Sequence, residues 1–386
     1  MIARIRRVLL EVPASYEFPI WLICIAALGI FGYLIRTADW QPENFAVFLF
    51  DYRFGFVRRG LLGELVRLIP FELEEYYVYT AFYGSVLLSL YLVVLANLHL
   101  ALFKGNAPPT EGKVWFSLAV LLSPLFLKNL MFDFGRFDSA GYLAVFGFAL
   151  APAAVRRVLI VVLPPVLILC HEAQIVLSVA PMLAIFLICA IHERDVFKVR
   201  TLAPLASALV VSLGLTFYIM NHLVPGVEPD IIGAYVGSKS AHNIVDRTWL
   251  LYDDLTANYE MAIGNRGFAG RQWHASPLYV LAFVLHLPIA LLLWRSFARG
   301  GHLELRISCA LIVLTSVAQC VLFVLGIDFA RWIANIFISF VAMLLVLIRC
   351  YGLSEVVADH VSKHKHSIIA LVFIFAAIPK FGVVSP

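Results

Sequence analysis

Long apolar runs separated by short polar stretches recur from Phe18 to the end of the chain. A helix crossing a bilayer core takes roughly 20 apolar residues, and by that rule the chain has about eleven candidate spans. They are Phe18–Ile35, Tyr76–Leu98, Val114–Leu127, Ala140–Ala154, Val158–Cys170, Ala173–Ile191, Thr201–Met220, Leu278–Trp294, Ile307–Leu325, Ile333–Ile348 and Ser367–Ile378. Backbone groups facing lipid must be bonded within their own segment or in a closed barrel, and uninterrupted apolar runs exclude the barrel. The pattern therefore predicts an all-α polytopic membrane protein, a single membrane domain over residues 1–386 with two long outer segments, 36–75 and 221–277.

One stretch tests the spacing. Val158–Ile191 as a single helix, at about 1.5 Å per residue, would be near 50 Å long, too long for one crossing. Two short crossings fit better: the Pro164–Pro165 pair is expected to break the first, leaving His171–Glu172 at an outer turn or in a re-entrant hairpin. In the first outer segment, Leu62, Leu65, Val66 and Ile69 fall at helical spacing opposite a charged face, which predicts an interfacial helix.

Composition agrees: 62% of residues are hydrophobic, 14% are charged, and the mean hydropathy is +0.91. Lipid is the expected solvent. The net charge of +4 comes from Lys and Arg scattered among loops, so nucleic acid is not an expected partner. With the N-terminus in the cytoplasm, the inside segments hold 16 of the 29 Lys and Arg residues in much less chain than the outside segments, as the positive-inside rule requires. The apolar run after Arg4, Arg6 and Arg7 has no small-residue cleavage site behind it and is expected to be a retained first helix.

The cysteines lie in or beside apolar runs without CxxC or zinc spacing and are expected to be packing residues, with no metal site. His171–Glu172 is not a zincin motif, because Ile175 stands where the second His would be. No GxxxxGK[ST], GxGxxG or GxSxG motif is present, which disfavours ATP-driven, Rossmann and hydrolase chemistry, and no particular cofactor is indicated.

Polar clusters interrupt the apolar pattern at five places: Asp51 with Arg53, Arg58 and Arg59; Asp133 with Arg136 and Asp138; His171–Glu172; the stretch from Asp246 to Arg271; and Asp328 with Arg331. On the topology above all five face outward. Ionisable groups near hydrocarbon cost about 2.5–3.5 kcal/mol each on insertion scales, so they are expected to pair or to line a polar cavity. Asp133 with Arg136, and Asp328 with Arg331, are three apart and suited to pairing on a helical turn at the membrane rim. Arg58 and Arg59 suit headgroup anchoring or a lipid-linked diphosphate, since the guanidinium fork matches phosphate. Asp51, His171 and Glu172 are the candidates for moving a proton from an acceptor hydroxyl.

These features, as Asp51-Tyr-Arg-Phe-Gly-Phe-Val-Arg-Arg-Gly-Leu-Leu-Gly63, Gly135-Arg-Phe-Asp138, His171-Glu172 with Pro181 following, and Asp328-Phe-Ala-Arg-Trp332, resemble bacterial polytopic envelope-glycan enzymes. The likeness is to O-antigen and exopolysaccharide polymerases and, more distantly, to C-type membrane glycosyltransferases, and it extends loosely over most of the chain. It implies a bacterial inner-membrane location and a polyprenyl-(di)phosphate-linked sugar or glycan as substrate. Membrane lipid and glycan-assembly proteins are the implied partners. Asp51 then resembles the first-loop acid of the C-type enzymes, with Asp51, His171 and Glu172 catalytic. Arg58, Arg59, Asp133, Arg136, Asp138, Asp328 and Arg331 would bind substrate. Only a short stretch with Pro379 and Lys380 follows the last span, where some C-type enzymes add a large soluble domain, so polymerase-like architecture fits better. The expected activity is glycosyl transfer or polymerisation; the alternatives are a flippase or secondary transporter and a membrane acyltransferase.

Overall fold

The computed structural model describes residues 48–56, 59–68, 75–103, 110–126, 137–222, 227–239, 302–325 and 329–377, with isolated positions 284, 286, 294 and 297. Those residues are helical or in turns, with no strand among them. After a 3-10 turn at Tyr52–Phe54 come α1 (Leu61–Arg67), α2 (Glu75–Leu102), α3 (Glu111–Leu122), α4 (Asp138–Leu150) and α5 (Ala153–Cys170). A π-helical segment, Ile175–Val179, leads into α6 (Ala180–His192), followed by α7 (Val199–Asn221) and α8 (Pro229–Lys239). The C-terminal part has α9 (Leu303–Gln319), α10 (Leu322–Leu325), α11 (Phe329–Tyr351), α12 (Ser354–Lys363) and α13 (Lys365–Ala377).

Among the described residues, five stretches are long and apolar enough to cross a membrane: Phe82–Leu102, Ala153–Cys170, Ile175–His192, Val199–Asn221 and Arg331–Tyr351. Their exposed side chains suit lipid. Val210, Leu213 and Phe217 on α7 are all more than half exposed, an apolar surface that water would not tolerate. By contrast α11 is the central helix, with Ile338, Ala342, Met343, Leu345 and Ile348 nearly or wholly buried.

The 158–191 stretch does form two helices long and apolar enough to cross a membrane, with the turn at His171–Glu172 as predicted, but the prolines do not break the first of them. α5 runs uninterrupted through Pro164 and Pro165 to Cys170, and the chain turns at His171–Ala173. Proline fits helical φ and costs one backbone bond, which neighbouring elements in a bundle can replace. The hairpin is antiparallel, since Arg156 near the start of α5 pairs with Glu193 just past α6 at 3.3 Å, and Arg157 reaches Asp195 at 3.8 Å. Asp195 also accepts from Lys198 and Arg200, so the open end of the hairpin is closed by charge.

Other helices align on this hairpin. Tyr351 near the end of α11 bonds Ser308 of α9 at 2.9 Å, and Arg349 donates to the carbonyl of Ala149. Lys113 of α3 pairs with Glu355 of α12. One end of the bundle therefore gathers Lys113, Arg156, Arg157, Arg194, Lys198, Arg200 and Arg349. We call it the basic end and the other the turn end.

Prolines set several boundaries. α3 stops at Leu122 because Ser123 precedes Pro124 and is pushed to ψ 129°, its Oγ then accepting the Leu125 N–H at 3.1 Å. α4 stops at Leu150 because Ala151 precedes Pro152 and is extended. The expected span Ile307–Leu325 is two helices, α9 and α10, interrupted at Cys320 and Val321. α8 lies within the segment 221–277, where the apolar pattern marks no span; Pro229 opens it. The candidate spans Phe18–Ile35 and nearly all of Leu278–Trp294 lie outside the described residues.

The helix predicted near residues 62–69 exists as α1, with a different inner face. Leu62 and Gly63 are buried while Leu65 is 52% exposed. Gly63 sets this rotation: a Cβ there would sit 2.0 Å from the carbonyl oxygen of Phe50, so only glycine lets the helix lie on the loop before it.

Two measurements check this arrangement. Lys198, then Arg200, hold the Asp195 carboxyl below the ordinary range. A depressed folded-state value stabilises above the unfolded one and is lost as pH falls through the folded one. Asp195→Asn is therefore expected to lower the thermal midpoint at neutral pH. Its gap to wild type should close below the ordinary aspartate value of about 3.9. Membrane-impermeant thiol labelling should place Arg53→Cys and His222→Cys on one side of the membrane and Phe197→Cys on the other; a shared side for all three would overturn the two-ended bundle.

Candidate functional site

The turn between α5 and α6 positions the site. His171 ends α5 in extended backbone, and its Nδ1 accepts the N–H of Ala173 at 3.1 Å. With Nδ1 an acceptor, the neutral ring carries its proton on Nε2. Nε2 is then the donor side of the neutral ring.

Glu172 points from the turn to Arg59, which grips it with both Nε, at 2.9 Å, and Nη2. Arg59 has φ +64°, a left-handed conformation that side-chain-bearing residues adopt at a cost of about 1–3 kcal/mol. The bidentate pair ties the first outer segment to the turn across 113 positions of sequence.

Asp51 is buried and does two structural jobs. Its Oδ1 accepts the Arg53 N–H at 3.0 Å, capping the 3-10 turn, and its Oδ2 accepts the Tyr235 hydroxyl at 2.6 Å. Burial, then the bond to Asp51, push the Tyr235 phenol up to about 12, so it stays protonated and donating. Arg53 stacks over the Tyr235 ring at 4.6 Å. Tyr52 donates its N–H to Glu64 of α1 at 3.2 Å, and its phenol is also pushed up to about 12, by burial and then by Cys170 and Glu64. Phe56 packs edge-on against Tyr218 at 5.1 Å, bringing the end of α7 to the same level.

A second arginine–carboxylate pair, this one between helices, stands at the same end of the bundle. Arg331 at the start of α11 places Nε 3.3 Å from Oδ2 of Asp138 at the start of α4, both side chains nearly buried, and it stacks on its neighbour Trp332 at 4.3 Å. Trp332 packs against Leu177 and Ala173 beside the turn. The spacing-based pairing of Arg331 with Asp328, and of Arg136 with Asp133, concerns Asp133, Arg136 and Asp328, which lie outside the described residues, as do Arg58 and the stretch 246–271.

Asp51, Arg59, Asp138, His171, Glu172 and Arg331 thus all stand at the turn end. Sequence reasoning missed Tyr235, Gln174 and Gln319. Pro181 was the available signal. In the π segment the Ala180 N–H bonds the Ile175 carbonyl, and Pro181 has no N–H, so the Val176 carbonyl loses its helical donor. Gln319 of α9 replaces it from Nε2 at 3.1 Å. Among the described residues no group of three His, Cys, Asp or Glu side chains is arranged to hold a metal.

Residues 19–228 match the family described as Uncharacterised membrane protein Rv1490, and the chain, matched over more than half its length, belongs to that family of membrane proteins. No curated protein and no solved structure matches it.

Removing one partner of a buried pair leaves the other charge stranded, at a cost of about 3–5 kcal/mol. Arg331→Met should therefore lower stability strongly in detergent denaturation, and Asp138→Leu with Arg331→Met should recover much of the loss. A double variant as unstable as the single one would show that the pair does not act as a unit.

Proposed function

We propose that this member of the family is a membrane-embedded transferase that joins or extends sugars carried on a polyprenyl (di)phosphate, using the turn end of the bundle. The observation that carries the reading is that two arginine–carboxylate pairs, Arg59–Glu172 and Asp138–Arg331, stand with His171 at the turn end. Guanidinium groups and an imidazole N–H suit phosphate oxygens and the charge that grows on a phosphate leaving group. Asp51 and Glu172 supply carboxylates for an acceptor hydroxyl.

In this reading Arg58, Asp133, Arg136 and Asp328 complete the phosphate-binding and pairing set. The finer topology has about eleven spans, by the length rule, with a cytoplasmic N-terminus. The concentration of lysine and arginine at the basic end supports that end as the inner one. The turn end then faces outward from a bacterial inner membrane, where membrane lipid, a lipid-linked glycan and glycan-assembly proteins are the partners.

The test is the chain length of envelope glycan in cells carrying His171→Ala, Arg59→Ala or Asp51→Ala at normal protein level. Loss of a group that stabilises developing charge reduces turnover by roughly 10²–10³-fold, so extension should nearly cease in the first two. Unchanged glycan in all three would remove the proposal. Movement of a labelled lipid-linked sugar across vesicles with no change in its covalent structure would replace it with a carrier.

A further inference from the structure

Below the charged level lies a polar seam that the reading above does not use. Three elements in mutual contact form it: α4, the π segment and α11. On α11, Arg331, Asn335 and Ser339 recur every four residues and so share one face. The two ends of that stripe show where it points: Arg331 pairs with Asp138 of α4, and the Ser339 Oγ donates to the Leu177 carbonyl of the π segment at 3.3 Å. Asn335 lies between them, toward both neighbours. On α4, Tyr142 is one turn below Asp138, as Asn335 is below Arg331. Gly141 beside it approaches Gln174 and Ser178 so closely that a Cβ would meet their side-chain oxygens at 2.3 and 2.5 Å.

This seam carries hydrogen-bonding groups that have no partner among the described residues. Both the Oδ1 and Nδ2 of Asn335, the Tyr142 hydroxyl, the Gln174 Nε2 and the Trp332 Nε1 are buried with no bonding partner among the described residues. Asn335, Tyr142 and Gln174 are 0% exposed. A buried group left unpaired is destabilising, and several within two helical turns form a patch that an apolar sequence would avoid. The set mixes donors with groups that both donate and accept, and includes an indole and a phenol, which is the chemistry that binds sugar hydroxyls. It begins one helical turn, about 6 Å by rise per residue, beneath the Asp138–Arg331 pair.

Resting on the transferase reading, we propose that the seam binds the hydroxyl groups of the sugar carried on the lipid phosphate, with Asn335, Tyr142, Gln174 and Trp332 as its partners. The charged level takes the phosphate, and the seam takes the first sugar.

The test uses purified protein in nanodiscs and two probes, farnesyl diphosphate and the same lipid with one glucose on its terminal phosphate. In wild type the glucose should tighten binding by about tenfold, the worth of one or two good hydrogen bonds. Tyr142→Phe and Asn335→Leu preserve shape. They should erase that increment, keep the affinity for farnesyl diphosphate, and raise the thermal midpoint without ligand, because each removes an unpaired buried group. Equal binding of the two probes by wild type, an increment that survives in both variants, or a lowered unliganded midpoint in both would overturn the proposal; the last outcome would assign these groups to internal structure. If the glucose increment depends on both residues but farnesyl diphosphate alone does not bind, the phosphate reading falls while the seam stands. If neither probe binds, both fall.

Discussion

A carbonyl that has lost its helical donor in a low-dielectric interior must find another, and at Val176 that requirement joins three helices. Pro181 withdraws one N–H, Ala180 spends its own on Ile175, and Gln319 crosses from α9 to supply the replacement. Gln319 also donates to Ser339 of α11 at 3.0 Å, so one missing proton orders α6, α9 and α11 around the hairpin turn. The position of His171 and Glu172, and with it the whole turn end, follows from that junction.

The two ends of the bundle solve the problem of charge differently. At the basic end, solvent shares the work on Asp195, whose partners Lys198 and Arg200 are half exposed. At the turn end Asp138 and Arg331 are nearly buried and matched across helices, and Arg59 holds Glu172 with both partly covered. Matching there is costly in desolvation, and a hydrophobic pair of equal volume would often be as stable. Retaining Asp138 with Arg331, and Arg59 in a strained backbone conformation, is the pattern expected where chemistry rather than stability selects residues.

The central helix shows the same division along its length. α11 is apolar from Phe340 to Ile348, and between Arg331 and Ser339 it carries polar residues at Arg331, Asn335 and Ser339, on the stretch that meets the π segment and α4. Its buried amide and hydroxyl groups lie on the face toward those elements, while Trp332 packs beside the turn itself. A helix whose burial is nearly complete can afford polar positions only where a neighbour or a ligand meets them, which ties the seam to the site above it.

Lipid as solvent, helices as the only spanning elements and the hairpin in 158–191 were legible in the sequence, because each follows from run length and the need to satisfy backbone groups locally. So was the gathering of Asp51, Arg59, Asp138, His171, Glu172 and Arg331 on one side, since charges are tolerated only near the ends of spans. Which carboxylate each arginine holds was not. Arg59 meets Glu172 across 113 positions and Arg331 meets Asp138 on another helix, contacts set by packing between elements far apart in sequence. The unbroken passage of α5 through Pro164–Pro165, the glycine contacts that rotate α1, and the orientation of the His171 ring were likewise decided only by tertiary structure. Local sequence fixes where a backbone bond is lost, whereas three-dimensional packing chooses which distant group replaces it.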